Sequence, residues 1–149
     1  MTAALDFAPA TPADLPAVVA LLAEAGLPHA DLAAGGLARF VLAYDARQLV
    51  GAVGLEVYGR WGLLRSLVVA PGARGSGLGG CLVAAVEVEA RALGLHAVVL
   101  LTTTAEPFFA ARGYARTDRA DVPAAVRQSA EFAALCSASA ACLSKPLFY

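Results

Sequence analysis

The spacing of hydrophobic and polar residues along the chain changes several times, and each change marks the boundary of a predicted helix or strand. A short apolar segment from Leu5 to Ala8 predicts a first strand. Thr11 and Pro12 then give a helix start, with Thr as the cap and Pro in the first position. The helix ends near Gly26, and a second short helix is expected from Ala30 to Gly35. One stripe of the first helix carries Leu15, Val18, Val19 and Leu22.

Three strands are predicted in the next part of the chain. Phe40 to Tyr44 and Leu49 to Tyr58 flank a turn over residues 45–47, which indicates an antiparallel hairpin. A second turn, over residues 59–62, leads into the apolar segment from Leu63 to Val69. This segment predicts a buried strand, although it contains Arg65.

A strand-helix-strand unit follows the third of these strands. Leu78 to Leu93 has apolar residues at helical spacing, with Leu82, Val86 and Ala90 facing inward, and Gly94 ends the helix. Ala97 to Leu101 is wholly apolar and predicts a buried strand. Such a unit makes its two strands parallel neighbours with the helix packed across them.

The last part of the chain continues the alternation of helices and strands. Ala105 to Arg112 predicts a short helix closed by Gly113, and Tyr114 begins a further strand. Pro123 to Leu135 has a helical pattern in Val126, Ala130, Ala133 and Ala134, and Ala141 to Leu147 predicts a closing strand. The 149 residues therefore predict one α/β domain, residues 1–149, with a mixed sheet.

A glycine-rich loop lies between the third strand and the long helix. Glycines at a helix start let an anion approach the unpaired backbone N–H groups, so the loop is a candidate phosphate site. It lacks the Lys-Ser/Thr ending of an ATP-binding loop and the spacing of a dinucleotide-binding loop. A glycine-rich helix entry without a ligand is the alternative. The loop reads Arg74, Gly75, Ser76, Gly77, Leu78, Gly79 and Gly80.

Composition narrows the classes of partner. Hydrophobic residues make up 59% of the chain and charged residues 15%, but no apolar run approaches the ~20 residues of a membrane-spanning helix. The net charge of -1, without a basic run, argues against nucleic acid as a main partner. A soluble cytoplasmic protein is expected, and its apolar surplus would suit a homodimer interface. Its three cysteines lack metal-finger spacing, and no metal is expected.

Two motifs together resemble the GNAT superfamily of N-acetyltransferases. The first is an Arg-x-x-Gly-x-Gly loop after an apolar strand, here Arg74 to Gly79, and the second is Phe108 to Tyr114, similar to the family's Phe-Tyr-x-x-x-Gly-Phe segment. The order of elements agrees with that family over nearly the whole chain. The resemblance implies a mainly antiparallel sheet with a central parallel pair splayed into a V and helices on both faces.

The resemblance also implies a donor and its binding residues. Acetyl-CoA would be the co-substrate, with its pantetheine arm along the backbone of Leu67, Val68 and Val69. Its pyrophosphate would lie on Arg74, Gly75, Ser76, Gly77, Leu78, Gly79 and Gly80, and its arm would pass Phe108, Phe109 and Arg112, although a core Phe pair is the alternative for the two aromatic residues.

Catalytic residues are less clearly indicated. Amine acetylation needs a base, because a primary amine has a pKa near ~10.4, and Glu56 is the candidate through water, with an exposed hairpin carboxylate as the alternative. Many relatives place a tyrosine acid where this chain has Phe109. Thr102, Thr103, Ser66 and Tyr58 are candidate donors, of which Thr102 is taken as the catalytic one.

Arg65 is the most suggestive residue on the acceptor side. A charge within an apolar strand must meet an acid such as Glu56, the open cleft or an anionic ligand. A structural ion pair and recognition of an acceptor oxyanion are both open, and Tyr58 and Ser66 are candidate neighbours in acceptor binding.

A closer resemblance links several segments to the arsenic-resistance N-acetyltransferases, relatives of the phosphinothricin-type enzymes. It implies a small amine acceptor, such as an amino acid analogue bearing an arsenic or phosphorus oxyanion. A non-catalytic acyl-CoA or As(III) sensor and a peptide N-acetyltransferase are the alternatives. Arsenic binding by Cys136 and Cys142 is the less favoured interpretation of those cysteines, because buried apolar cysteines are commoner than soft-metal ligands. The segments are Leu63 to Val69, Leu100 to Ala105, and the tail from Pro123 to Cys142.

Overall fold

Seven strands form one mixed sheet in the computed structural model, which describes residues 5–32, 39–135 and 139–148. The strand order is β1-β2-β3-β4-β5-β7-β6. All neighbours are antiparallel except β4 and β5, which run parallel. This confirms the predicted mainly antiparallel sheet. The strands are β1 Leu5–Pro9, β2 Phe40–Asp45, β3 Gln48–Tyr58, β4 Trp61–Val69, β5 Ala97–Thr102, β6 Ala115–Arg116 and β7 Ala141–Pro146.

The two longer helices cover opposite faces of the sheet. Successive residues of a strand point to opposite faces. In β2, Leu42 packs in the cluster of α1, Leu15–Glu24, and Ala43 packs in the cluster of α2, Leu78–Ala92. Both clusters are closed to solvent, which gives the sheet two apolar faces. The helices are α1 Leu15–Glu24, α2 Leu78–Ala92, α3 Glu106–Ala110 and α4 Ala124–Arg127.

The parallel pair β4 and β5 separates after a short contact. The two strands pair only where Trp61, Gly62 and Leu63 face 97–99, and β4 then continues to Val69 without β5. The predicted V between the strands is therefore present. It opens toward the end of β4 that leads into the glycine-rich loop.

A bulge in β4 lies just beyond the point of separation. Gly54 of β3 pairs with Arg65, and Ala52 pairs with Val68, so two residues of β4 oppose one of β3 between these pairs. One of the two is Ser66, whose φ of 60° lies in the left-handed region. A bulge bends its strand and increases the local twist, which directs this part of β4 away from β5.

One predicted element was wrong. Residues 123–135 do not form a single helix, because α4 ends at Arg127 and a π-helical turn occupies Glu131–Leu135. A new helical segment begins after Ser129, whose side-chain oxygen accepts a hydrogen bond from Phe132 N at 3.4 Å. Ala133 is exposed as a result and does not join an inward stripe.

The other elements lie near their predicted positions, but several differ in extent. β4 begins at Trp61, inside the turn predicted over residues 59–62. The strand predicted from Tyr114 has only two residues, and α3 is shorter than predicted at both ends. The second short helix, predicted over residues 30–35, lies partly outside the described residues. Within the parts of the chain that are described, none of the helices has the length and apolar character needed to cross a bilayer.

Candidate active site

A cleft of about 700 Å³ occupies the V between β4 and β5. Its walls come from both strands, the residues after α1, the glycine-rich loop, α3 and the π-helical turn. The structure thus brings together, around one cleft, eleven of the residues singled out in the sequence. They are Arg65, Ser66, Leu67, Val68, Val69, Arg74, Gly79, Thr102, Thr103, Phe108 and Phe109.

The glycine-rich loop presents open backbone at the start of α2. Gly75 and Gly77 have φ values of 80° and 83°, and no atom lies within 4 Å of a Cβ built on either residue. Gly77 directly precedes the helix. The first N–H groups of a helix have no partner within it and carry the positive end of its dipole. The loop therefore has both the space and the polarity to hold an anion.

Arg112 lies over the first turn of α2. Its guanidinium carbon is 3.7 Å from the ring centroid of Phe108, and its Nη1 donates to the carbonyl oxygen of Phe108 at 2.9 Å. A Cβ built on Gly80 would lie 2.9 Å from Arg112 Nη2. Glycine at this position leaves room for the guanidinium beside the helix start.

Arg74 is fixed to the end of β4. Its Nε donates to the carbonyl oxygen of Val69 at 3.1 Å, and its side chain is exposed. Together with Arg112 it places a second positive charge beside the loop. Both charges strengthen the attraction of the loop for an anion.

Arg65 is enclosed by three carboxylates. Its side chain is fully buried, with Nη1 and Nη2 donating to the two oxygens of Asp31, and Nη1 also lying 3.1 Å from Glu56 Oε2. Glu131 Oε1 lies 3.4 Å from Nη2. The ion pair with Glu56, one of the two predicted interpretations, is present. Binding of an acceptor by Arg65 remains a prediction.

These contacts set the charge states of the cluster. Burial lowers the pKa of Arg65, but the Asp31 hydrogen bonds and the charges of Glu131, Asp31 and Glu56 raise it more, so the guanidinium stays charged. The Arg65 hydrogen bonds hold the pKa of Asp31 below its ordinary value of 3.8. Burial, followed by the hydrogen bond to Glu56, raises the pKa of Tyr58 to about 12.

Two predicted polar residues do not line the cleft. Glu56 and Tyr58 are absent from its described walls; the Tyr58 hydroxyl donates to Glu56 Oε1 at 2.8 Å, and Glu56 contacts Arg65. The carboxylate that does line the cleft is Glu131. A role for Glu56 in catalysis would therefore have to act through water or through Arg65.

The candidate hydroxyl donors differ in their partners. Thr102 Oγ1 accepts a hydrogen bond from Ala105 N at 2.9 Å, which fixes the turn into α3. Ser66 Oγ accepts one from the charged Nε of Arg65 at 3.1 Å. Phe109 offers no hydroxyl, is buried, and contacts Phe108 and Tyr114 edge to face.

Two residues of the Arg65 cluster, Asp31 and Glu131, were not predicted from the sequence. Glu131 lies two residues after Ser129, whose side chain caps the start of the π-helical turn. An acid in the first turn after a serine cap is a common sequence sign of a helix start. Asp31 lies in a turn region after Pro28 and gives no comparable signal. Only the fold brings it to Arg65, 34 residues away.

The cysteines give little support to a metalloid site. Cys142 is buried in β7, and burial raises the pKa of its thiol, so the thiolate that arsenic prefers is disfavoured there. Cys136 lies outside the described residues. Among the residues that the structure describes, no group of three or more potential metal ligands was found.

Comparison with protein families gives a match to the acetyltransferase (GNAT) domain over residues 36–116. No curated protein matches the sequence. Among solved structures, N-acetylglutamate synthase from Neisseria gonorrhoeae, complexed with coenzyme A and N-acetyl-glutamate, is similar with a TM-score of 0.85 and 24% identity. The match covers 100% of this chain and 36% of that one, so the chain spans about a third of that relative.

Two further solved structures are similar over nearly their whole length. The Rv2747 protein from Mycobacterium tuberculosis, in complex with coenzyme A and a second ligand, has a TM-score of 0.82 and 25% identity over 96% of this chain and 99% of that one. A GNAT-family acetyltransferase from Staphylococcus aureus has a TM-score of 0.75 and 14% identity, over 97% and 100%.

Proposed function

Because the chain belongs to the GNAT acetyltransferase domain family, we propose that it transfers an acetyl group from acetyl-CoA to the nitrogen of a small amine. The observation that carries the proposal is the continuous path from the V between β4 and β5 to the open glycine-rich loop. A long donor with an anionic end and an extended arm fits such a path.

In this proposal the pantetheine arm follows the free edge of β4 at Leu67, Val68 and Val69. The pyrophosphate lies on the loop from Arg74 to Gly80, where Arg112 adds a positive charge. Leu78 is buried in the core, so only its backbone N–H would serve the phosphate. Two of the similar solved structures described above contain coenzyme A, which supports this choice of donor.

The transfer itself needs a neutral amine and a leaving thiolate. The amine nitrogen attacks the thioester carbon, the C–N bond forms, and the C–S bond breaks with its electron pair on sulfur. The proton of the nitrogen passes to a base, for which Glu56 through water remains our proposal and Glu131 is the carboxylate nearer to the cleft. Backbone N–H groups along β4 would stabilise the charge on the thioester oxygen.

The acceptor within this class is proposed from the closer resemblance described above. It suggests an amino acid analogue that bears an arsenic or phosphorus oxyanion. The environment of Arg65 constrains this choice, because its guanidinium already contacts Asp31, Glu56 and Glu131. An oxyanion would have to displace one of these carboxylates or bind elsewhere in the cleft.

Thiol release with a panel of amines tests the function. The panel contains simple monoamines, amino acids, and amino acid analogues with a phosphorus or arsenic oxyanion, each incubated with acetyl-CoA. We expect release with at least one amine and a marked preference within the panel. Absence of release with every amine would refute the enzyme, and equal rates with and without the oxyanion would refute the narrower acceptor class.

A further inference from the structure

We propose that the Ser66 hydroxyl donates the hydrogen bond that stabilises the departing CoA thiolate, in the role that the missing tyrosine hydroxyl would otherwise fill. This inference rests on the proposed acetyl transfer. It names a catalytic residue on β4, whereas Thr102 on β5 was the residue selected from the sequence.

The hydrogen bond from Arg65 leaves the Ser66 hydroxyl able to donate. Arg65 Nε donates to Ser66 Oγ at 3.1 Å, so a lone pair of that oxygen is occupied and its own hydrogen is available to another acceptor. Ser66 lines the cleft in which the thioester would lie. A sulfur anion there would be a suitable acceptor.

The donor behind Ser66 carries a positive charge. The Arg65 side chain is fully buried and positively charged, and a hydroxyl that accepts from a cation becomes a stronger donor in turn. Thr102 accepts only from the neutral N–H of Ala105. Of these two hydroxyls, Ser66 is therefore the better donor to an anion.

The backbone of Ser66 has an unusual conformation. Ser66 has a φ of 60° in the β4 bulge, a conformation that is uncommon for a residue other than glycine. Such outliers concentrate at functional sites because the surrounding structure must maintain them. The bulge directs Ser66 toward the cleft at the place where β4 has parted from β5.

The remaining candidates are less suitable. The Tyr58 hydroxyl donates to Glu56 and is not among the described residues of the cleft wall. Thr103 is exposed. Phe109 has no hydroxyl, although it lines the same cleft.

The step requires no proton from Ser66. A thiol has a pKa of about 8.5, far below that of an alcohol, so the sulfur leaves as a thiolate and Ser66 remains protonated. The electron pair of the C–S bond stays on sulfur, and the proton lost by the amine goes to the base. The thiolate takes up a proton after it leaves the cleft.

The test measures the pKa of the thiol of bound CoA, by the ultraviolet absorbance of the thiolate as the pH is raised. No acceptor amine is needed. We compare the wild-type protein with Ser66→Gly, which removes the hydroxyl and accepts the positive φ without strain. Thr102→Val is the matched control, because it removes a cleft hydroxyl on the facing strand, β5.

We expect the bound thiol to have a pKa about one unit higher in Ser66→Gly than in the wild type, and no such rise in Thr102→Val. Equal values in the wild type and Ser66→Gly would overturn the assignment, as would a rise in Thr102→Val alone. Failure of the wild-type protein to bind CoA would refute both the proposed function and the role of Ser66. Binding without the shift would refute Ser66 alone.

A rate measurement gives a second, independent result. The single-turnover rate of acetyl transfer should fall about ten- to a hundredfold in Ser66→Gly with acetyl-CoA. With the selenium analogue of acetyl-CoA the fall should be much smaller, because a selenolate is the more stable leaving group. Equal losses with both donors would mean that Ser66 only positions its neighbours.

Discussion

The guanidinium of Arg65 meets the carboxylate of Asp31 through both of its terminal nitrogens, Nη1 to Oδ2 and Nη2 to Oδ1. Glu56 and Glu131 approach the same group from β3 and from the π-helical turn. One buried side chain therefore links three other segments of the chain at one end of the cleft. The cluster is a structural unit as well as a part of the site wall.

Replacing Arg65 by Met should destabilise the protein strongly. The substitution keeps an apolar stem of similar length but leaves three neighbouring carboxylates without their shared cation. Removal of one partner from a buried pair costs about 3 kcal/mol or more, so we expect a loss of that size in the free energy of unfolding, measured with urea. Arg65→Lys should lose less, because it keeps the charge but not the planar fork.

Arg116→Met is the matched control for this measurement. Arg116 also makes a two-nitrogen pair, at 2.7 and 2.8 Å from the oxygens of Glu106, but its side chain is 73% exposed. Exposed pairs contribute little to stability, so no measurable loss is expected. Similar losses in both variants would contradict the argument from burial.

The pair of Arg65 and Asp31 also predicts a dependence of stability on pH. The folded state lowers the pKa of Asp31 below 3.8, so its contribution is fully present above 3.8 and is lost as the pH falls through the lower, folded value. The difference in free energy of unfolding between the wild type and Asp31→Asn should be largest near neutral pH and shrink below pH ~3.8. Urea unfolding at a series of pH values measures this difference.

Carboxylates outside the Arg65 cluster do not affect the comparison. The pKa of Asp14 is also lowered, chiefly by the hydrogen bond from Tyr44, and that of Glu106 by the hydrogen bond from Arg116. Both titrate equally in the wild type and in Asp31→Asn, so their effects cancel. A difference that stays constant between neutral pH and pH ~3 would show that Asp31 acts by packing rather than by charge.

Much of the fold could be predicted because its elements carry local signals. The glycine-rich loop, the inward residues Leu82, Val86 and Ala90, and the parallel unit around α2 follow from spacing alone. The predicted helix over residues 123–135 failed for a local reason too. Its apolar pattern consists mainly of alanine, which marks a buried face weakly, and Ser129 interrupts it as a cap.

The acceptor side of the site could not be predicted in the same way. Asp31 and Glu131 reach Arg65 only through the tertiary fold, from opposite ends of the chain. Ser66 has a positive φ in the bulge but is not a glycine, so the sequence does not indicate this conformation. Spacing predicts which residues share an element, but not which charges from separate elements will meet.

Arg112 is predicted to bind the pyrophosphate and not the pantetheine arm. Arg112→Met keeps the stem on the Phe108 ring while it removes the charge beside Gly80. The dissociation constant of CoA should rise about tenfold, since a charge-assisted hydrogen bond is lost. Calorimetry at low salt measures it, and the effect should weaken at high salt.

Pantetheine and Arg47→Met provide the controls for Arg112. Pantetheine lacks the pyrophosphate, so its affinity should be the same in the wild type and in Arg112→Met. Arg47 lies exposed in the turn between β2 and β3, and its loss should leave CoA binding unchanged. An equal weakening of CoA and pantetheine by Arg112→Met would instead indicate damage to α3.

Thr102 is predicted to contribute more to the turn into α3 than to the chemistry. Its Oγ1 accepts the N–H of Ala105 at 2.9 Å, and loss of one such hydrogen bond costs about 1 kcal/mol. Thr102→Val keeps the shape of the side chain but removes that oxygen, so the free energy of unfolding should fall by about this amount, and Thr102→Ser should restore it. The single-turnover rate should fall less than in Ser66→Gly. An unchanged stability with a hundredfold slower transfer would give Thr102 the catalytic role expected from the sequence.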